Sequence, residues 1–283
     1  MNKRAVIESA LYVVATPIGN LGDITFRALE VLKSVDCILT ENVRHSSLLL
    51  SHYGIETNTR AYNNHNEKEL TDGVVRQITQ NSMTFALISD AGTPLISDPG
   101  FNLVRSATEA NIAIFSVPGA CALISALSIS GLPVNKFLFE GFLPAQQKAR
   151  EQQLRQLECE SRTIIFYEAP HRIVKFLKSI CEILGTSRDV VIAREITKRF
   201  ESVYRGKVSE VVIFLDNNPH IIRGEFVVVL SGAEHTIEYT ELDKLLKILL
   251  AELDLKQAVS LARKISNVNR NIVYDRALKI SSD

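Results

Sequence analysis

Short, unbroken apolar runs alternate with stretches of helical spacing through the first part of the chain. Leu11–Thr16 is such a run, of the kind found in strands buried on both faces. Ile24, Ala28, Val31, Leu32 and Val35 then recur at steps of three and four, which predicts a helix. Cys37–Thr40, Phe85–Ser89 and Ile112–Val117 read as further strands, with a helix over Asn102–Ala110 between the last two. Strand, helix and strand in this order imply parallel pairing, with helices on the faces of the sheet.

The pattern changes near Pro118-Gly119. A helix of small residues, Ala120–Ser130, is followed by strands at Phe137–Phe142, Thr163–Glu168, Val190–Arg194, Phe200–Arg205 and Phe226–Leu230, with helices at Ala145–Leu157 and Arg172–Leu184. Phe200–Arg205 follows Val190–Arg194 too closely for a helix between them, so this second sheet is expected to be mixed. From Thr240 onward only helical patterns remain: Leu242–Leu253, Lys256–Ile265 and Arg270–Ile280. The expected fold class is α/β, with two α/β domains over 1–118 and 119–235 and a small helical domain over 236–283.

Composition narrows the function classes. The chain has 283 residues, 46% apolar and 23% charged, which fits a folded protein and excludes disorder as the main state. Lys+Arg and Asp+Glu both number 32, so bulk charge cannot carry nucleic-acid binding, although a local basic face can. Four cysteines, Cys37, Cys121, Cys159 and Cys181, form no C-x-x-C pair; no metal is expected, and mostly buried, reduced thiols are. No apolar run reaches the ~18 residues of a membrane span, and Met1–Ala10 lacks the apolar stretch of a signal peptide. A cytoplasmic location is expected.

Five strand ends carry candidate chemistry. Thr16–Asp23 (TPIGNLGD) follows the first strand with Gly19 and Gly22, which permit a tight turn and close backbone approach to a ligand. It lacks both the dinucleotide fingerprint and a P-loop lysine, and alone it reads as a plain turn. Ser89–Gly100 (SDAGTPLISDPG) is stronger: two Asp, two Gly, two Pro and three hydroxyls form a stiff polar loop whose groups need partners. Val117–Ala122 leaves space at a helix start. Phe166–Arg172 (FYEAPHR) and Ala193–Lys198 (AREITK) end strands of the second half with charged and hydroxyl residues. Five such ends in one chain imply one cleft between two sheets.

Taken in order, TPIGNLGDIT, TENVRH, SDAGTPLISDPG, VPGA, FYEAPHR and AREITK resemble the ribosomal small-subunit RNA methyltransferase I family, over about Leu11–Gly232 and more loosely in the C-terminal helices. The resemblance implies the tetrapyrrole-methylase fold, an S-adenosyl-L-methionine (AdoMet) cleft between two α/β domains, and a homodimer. It implies methylation of the ribose 2′-hydroxyl of a cytidine in 16S rRNA of the small ribosomal subunit. The cofactor positions it implies are Pro17, Asp90, Ala91, Gly92, Thr93, Pro94, Ile96, Asp98, Cys121, Ala122, Tyr167, Glu168 and Ile196, with Cys121 a pocket wall rather than a nucleophile. Glu41-Asn42-Val43-Arg44-His45 stands where that family has Glu-Asp-Thr-Arg-His; Glu41, Arg44 and His45 are kept, and the replaced carboxylate is read as substrate-positioning.

Removing the 2′-hydroxyl proton calls for a base. Glu41, Asp23, Glu195 and Lys198 are the candidates, with His45, His65 and His171 behind them. Lys198 qualifies only if burial or a neighbouring cation such as Arg194 or Arg199 lowers its pKa; otherwise it binds phosphate. Arg44 is expected to bind phosphate or ribose oxygens. Arg194, Lys198, Arg199, Arg205 and Lys207, interleaved with Phe200 and Tyr204, form a basic stretch on which RNA bases could stack. The tail holds Lys256, Arg263, Lys264, Arg270, Arg276 and Lys279 against Asp275 and Asp283, and reads either as an RNA contact or as a packed lid. Two rival functions share the cofactor: a tetrapyrrole C-methyltransferase, and a non-catalytic AdoMet-sensing nucleic-acid-binding module.

Overall fold

The structure, a computed structural model, describes residues 9–233, 240–266, 268 and 270–282. The charged start of the chain, the expected boundary between 235 and 236, and Asp283 lie outside the described residues. The chain divides into two compact units, Met1–Gly232 and Ala233–Asp283.

The first unit begins with β1 (Ala10–Val14), α1 (Phe26–Ser34), β2 (Cys37–Thr40), α2 (Val43–His52), β3 (Thr59–Ala61), α3 (Glu67–Asn81), β4 (Phe85–Ile88), α4 (Phe101–Glu109) and β5 (Ala113–Val117). These strands form one sheet in the order β3-β2-β4-β1-β5, every pair parallel. Its central strands are apolar throughout because both faces are covered. Tyr12 and Val14 point into a core with Ala28, Val31 and Leu32 of α1 and Leu50 of α2. Leu11 points the other way, into a core with Val74 and Ile78 of α3 and Leu103 of α4.

The chain then continues through α5 (Ala122–Ser128), β6 (Phe137–Gly141), α6 (Gln147–Gln156), β7 (Thr163–Glu168), α7 (Ile173–Leu184), β8 (Asp189–Arg194), β9 (Ser202–Lys207), α8 (Val208–Asn217) and β10 (Phe226–Leu230). The second sheet has the order β6-β7-β10-β8-β9. Only β6 and β7 pair in parallel; the other pairs are antiparallel, giving the mixed sheet expected. Ile164, Phe166, Ile192 and Val228 face a core built with α6, α7 and α8. On the opposite face Ile165, Val191, Ala193, Val227 and Val229 pack against Leu123, Ala126 and Leu127 of α5 and against Ile18. Ile18 follows β1, so a loop of the first sheet is seated on the second, and the strand-end loops of both converge there.

The second unit holds α9 (Thr240–Glu252), α10 (Leu255–Ser266) and α11 (Arg270–Ser282). Leu242, Leu246, Val259, Ala262, Val273 and Ala277 form its core. Arg276 of α11 pairs with Asp243 of α9. Asp254 Oδ1 accepts from the Gln257 amide at 2.9 Å, capping α10.

The expected strands and helices lie within a few residues of the observed ones. The helix expected from Ile24 starts at Phe26 instead, because Thr25 Oγ1 accepts from the Ala28 amide at 3.1 Å and Leu21–Asp23 forms a separate 3₁₀ turn. Apart from the short 3₁₀ turns, α2, β3, α3 and α8 had no counterpart in the hydrophobic pattern. All four cysteines are free, but only Cys37 is fully buried; Cys159 is exposed, correcting the expectation of mostly buried thiols. Among the described residues no helix is long and apolar enough to cross a membrane.

Candidate active site

The loop after β4 is held by a short bridge. The Thr16 amide donates to the Gly92 carbonyl at 2.8 Å and the Gly92 amide returns the bond at 3.1 Å. Gly92 sits at φ +83°, where a side chain is strained, and a Cβ there would lie 3.1 Å from Ile18 Cγ2. Farther along, Leu95 and Ser97 also have positive φ (72° and 67°). The loop after β8 repeats the arrangement at Glu195 and Thr197 (52° and 66°). Left-handed non-glycine residues on both sides of Ile96 and of Ile196 are strain held by surrounding packing, a common feature of ligand sites. Both isoleucines belong to the core shared by α5 and the second sheet.

Between these loops lies a cavity of about 380 Å³, in the range of small-molecule sites. Of the thirteen residues expected to hold the cofactor, Ala91, Gly92, Thr93, Ile96, Asp98, Cys121, Ala122, Tyr167 and Glu168 line it. Pro17, Asp90, Pro94 and Ile196 do not. Pro17 directly follows the Thr16–Gly92 bridge, Pro94 is buried within the loop, and Ile196 is spent on the core beneath. Cys121 is a wall of the cavity, as expected.

Ile18, Ser97, Ala169 and Pro170 also line the cavity; they stand inside the segments read as candidate chemistry but were not named as cofactor positions, whereas sequence reasoning missed Phe142, Glu225, Phe226 and Val227 altogether. It looked for site residues at the carboxyl ends of strands. Because β10 runs antiparallel to β7, with Phe226 opposite Glu168, its amino end arrives at the same edge. The signal for Phe142 was the glycine before it: Gly141, at φ +62°, ends β6 where its register with β7 shifts, and a Cβ there would meet Ser97 Oγ at 3.2 Å. Phe142 then stacks edge-on against Tyr167, with ring centroids 5.5 Å apart. The Tyr167 hydroxyl accepts from the Leu123 amide at 3.1 Å, and burial raises its pKa.

Glu168 is the most deeply buried charge of the cavity wall, only 2% exposed. Its Oε1 accepts from the Ala169 amide at 2.8 Å. Arg172 Nε lies 3.0 Å from the same oxygen but is not aligned as a hydrogen-bond donor, so that contact acts through charge. Oε2 is buried and has no hydrogen-bond partner among the described residues. Burial raises the Glu168 carboxyl above the usual range, against the Ala169 amide and Arg172 that hold it down.

Asp90, at the start of the loop, opens instead on a shallow polar basin with Glu41, Asn42, Arg44, Asn63 and His65. Asn42 Oδ1 accepts from the Arg44 and His45 amides at 3.1 and 3.2 Å and so caps α2. Asparagine serves this role as well as aspartate, which explains how the departure Asn42 is tolerated by the fold; Val43 has no such account. Arg44 is exposed, and none of the described ion pairs involves it. Burial and the nearby Asp90 carboxylate raise Glu41. Burial and the Glu41 carboxylate push Asp98 up to about 6. Three carboxylates thus face one another across the loop, with Asp98 on the cavity side and Glu41 and Asp90 on the basin side.

Glu195 and Lys198 form a separate group. Lys198 Nζ donates to Glu195 Oε1 at 2.8 Å and to Glu225 Oε2 at 2.9 Å. Its stem lies against Gly19, where any Cβ would clash with Lys198 Cγ. Burial alone would lower the Lys198 pKa, but the two carboxylates outweigh it and hold the pKa above the ordinary lysine value. Burial likewise opposes the net lowering of Glu195 by Lys198 and the Glu225 amide. The condition for Lys198 as a base, a lowered pKa, is not met.

The basic stretch expected as an RNA face is mostly committed to the fold. Arg194 donates to the Arg223 and Phe200 carbonyls at 2.7 and 3.1 Å, and Arg205 donates to the Ile129 carbonyl at 2.5 Å. Lys207 pairs with Asp189 at 2.8 Å. Tyr204 packs on Phe214, and Arg199 stacks over Phe200.

Comparison with known proteins agrees with this geometry. The family described as Tetrapyrrole (Corrin/Porphyrin) Methylases matches residues 10–212. The family described as RsmI C-terminal HTH domain matches residues 238–281. The ribosomal RNA small subunit methyltransferase I of Escherichia coli O157:H7 is 45% identical over 274 residues, 96% of either sequence. The chain belongs to the ribosomal RNA small subunit methyltransferase I family. Other members include the Pseudomonas aeruginosa protein, 46% identical over 95% of this chain and 96% of its own. The Vibrio cholerae protein is 44% identical over 95% and 94%. Solved structures share the fold at low identity. The methyltransferase CobJ aligns with TM-score 0.58 at 16% identity over 79% of this chain and 94% of that one. The uroporphyrin-III-C-methyltransferase of Thermus thermophilus aligns with TM-score 0.54, also at 16%, over 79% and 94%.

Proposed function

We propose that the protein transfers a methyl group from AdoMet to the ribose 2′-hydroxyl of a cytidine in the 16S rRNA of the small ribosomal subunit. One observation carries this reading beyond family membership: a single loop contributes residues both to a small-molecule-sized cavity and to a shallower polar basin. Ala91, Gly92, Thr93, Ile96, Ser97 and Asp98 wall the cavity, and Asp90 opens on the basin with Glu41 and Arg44. In-line transfer requires the donor methyl and the ribose oxygen in direct contact, so the ribose held at the basin must reach over the edge of this loop to the mouth of the cavity.

The cavity suits AdoMet. Ile18, Ile96, Phe142 and Val227 give it apolar walls, and Glu168 Oε2 is a buried acceptor without a hydrogen-bond partner among the described residues, as a ligand with N–H or O–H donors requires. AdoMet, when bound, supplies an electrophilic methyl group on a sulfonium sulfur. Ala91, Gly92 and Thr93 offer small or backbone surfaces to such a ligand, and the half-exposed Phe142 ring, set edge-on to Tyr167, offers an apolar surface at the rim.

The Glu41–Asp98 pair takes the proton of the 2′-hydroxyl. Both carboxylates are raised, which makes them better proton acceptors than the lowered Glu195. The Glu41 carboxylate is one of the causes that raise Asp98, so the two act at one locus. Arg44, outside every described ion pair at the basin's edge, presents a planar fork to a phosphate. Lys198 stays charged and keeps Glu225 at the cavity wall; it is a positioning residue. The protein acts as a homodimer in this reading.

Methyl-labelled AdoMet incubated with small ribosomal subunits tests the proposal. Label in the RNA supports it. AdoMet binding with no transfer would favour a sensing module, and label on a porphyrinoid ring would favour the tetrapyrrole reading.

A further inference from the structure

With most cations of the β8–β9 region tied into the fold, the question is where this chain grips the RNA backbone. In the second unit α10 and α11 flank an open groove of about 1060 Å³. Lys256, Arg263 and Lys264 of α10 and Arg270 of α11 line it, together with Tyr274. On α10, Lys256, Ser260, Arg263 and Lys264 stand at steps of four, three and one, which places them on one helical face. All four are exposed, while Ala258, Val259 and Ala262 are buried in the unit. The cations are therefore not by-products of packing.

Their electrostatic state differs from that of the unit's other arginine. Arg276 is paired with Asp243, whereas none of the described ion pairs involves Lys256, Arg263, Lys264 or Arg270. Among the described residues that line the groove, Asp254 is the one acid, and its Oδ1 is engaged in capping α10. Lys256 and Arg263 are seven residues apart, about 10 Å along the helix axis. Tyr274 is 43% exposed beside them. Four cations outside the described ion pairs in an open groove, in a chain with no net charge, complement a polyanion.

We infer that the α10–α11 groove is a second RNA-binding site, gripping the phosphate backbone of the small-subunit RNA with residues distinct from those of the methyl-transfer site. This rests on the RNA reading above. The contacts are to phosphate, so the site contributes affinity without base specificity. It holds the substrate and takes no part in the reaction. Removing it raises the KM for the subunit and leaves kcat unchanged.

The test compares the full-length wild type with K256Q/R263Q/R270Q and K256E/R263E/R270E. Three readouts are needed: transfer kinetics on small subunits across a salt series, RNA affinity by filter binding, and AdoMet affinity by calorimetry. Losing three phosphate contacts is expected to flatten the log–log salt dependence by roughly two to three. At moderate salt KM should rise about tenfold or more for the Gln variant and further for the Glu variant. AdoMet affinity and kcat should be unchanged. Native circular dichroism and normal AdoMet binding separate this from misfolding. Variants with wild-type KM, RNA affinity and salt slope would overturn the inference, as would a fall in kcat with KM unchanged. If the wild type transfers no methyl to RNA, the functional reading fails; filter binding still judges the groove, since equal affinity in wild type and variants refutes it.

Discussion

Replacing Asp98 by asparagine sets stability against activity at one atom. In the folded protein, burial and the facing Glu41 carboxylate push the Asp98 pKa from 3.8 to about 6. The fold therefore favours the protonated form. The stability this group contributes is fully present below about pH 3.8 and is lost as pH rises through about 6. The rise from 3.8 to about 6 is worth about 3 kcal/mol at most, and about 1–2 kcal/mol once partial solvent exposure is allowed for. The amide introduced by Asp98→Asn cannot ionise, yet its oxygen can still accept a hydrogen bond. The variant should therefore match the wild type near pH 4 and exceed it by about 1–2 kcal/mol near pH 7.5, or about 2–8 °C in Tm. Urea and thermal unfolding at both pH values measure this difference. Methyl transfer should fall at least tenfold, because half of the proton-accepting pair is gone. A variant no more stable than the wild type at pH 7.5, or equally stabilised at both pH values, would refute the electrostatic argument. Unimpaired transfer would remove Asp98 from the chemistry.

Other substitutions probe the remaining parts of the site. Lys198→Arg should keep substantial transfer, since a charged side chain still faces Glu195 and Glu225; complete loss with intact RNA and AdoMet binding would restore Lys198 as the base. Gly92→Val places a β-branched residue at φ +83° and should cost about 2–3 kcal/mol in chemical denaturation. It should also weaken AdoMet binding in the folded fraction, so unchanged calorimetric affinity would count against the placement of the cavity. Arg44→Ala should leave AdoMet binding and folding unchanged while lowering transfer to small subunits, and a wild-type rate would exclude Arg44 from substrate contact. Light scattering at micromolar concentration should give the mass of a dimer; a monomer would contradict that part of the proposal.

What the sequence disclosed follows from how strongly each element is patterned. Strands such as Cys37–Thr40, Thr163–Glu168 and Phe226–Leu230 are continuous apolar runs because both faces of their sheets are covered, and their limits could be read almost to the residue. Helix α3 hides its signal: the residues it buries are Thr71, Val74 and Ile78, one of them polar, on an otherwise polar surface. Strand β3 is three residues long and only partly buried, too short for a period to show. In the site, the stiff Asp90–Asp98 loop was legible because prolines and glycines in a polar run demand a partner. Glu225 to Val227 were not, since only three-dimensional pairing brings the amino end of β10 to the edge where β7 ends. The basic stretch from Arg194 to Lys207 was misleading for a related reason. Charge is visible in a sequence, but whether a carbonyl or carboxylate already satisfies it is decided by the fold.

The proposed reaction places one methyl group on one oxygen atom. Small ribosomal subunits lacking the modification should be treated with the wild-type protein and methyl-labelled AdoMet, and their 16S rRNA digested to nucleosides for mass spectrometry. A single labelled product, 2′-O-methylcytidine, is expected, at no more than one per subunit and sharply reduced with the Asp98→Asn variant. Label on a base, label spread over several nucleosides, or RNA without label beside AdoMet-bound protein would contradict it.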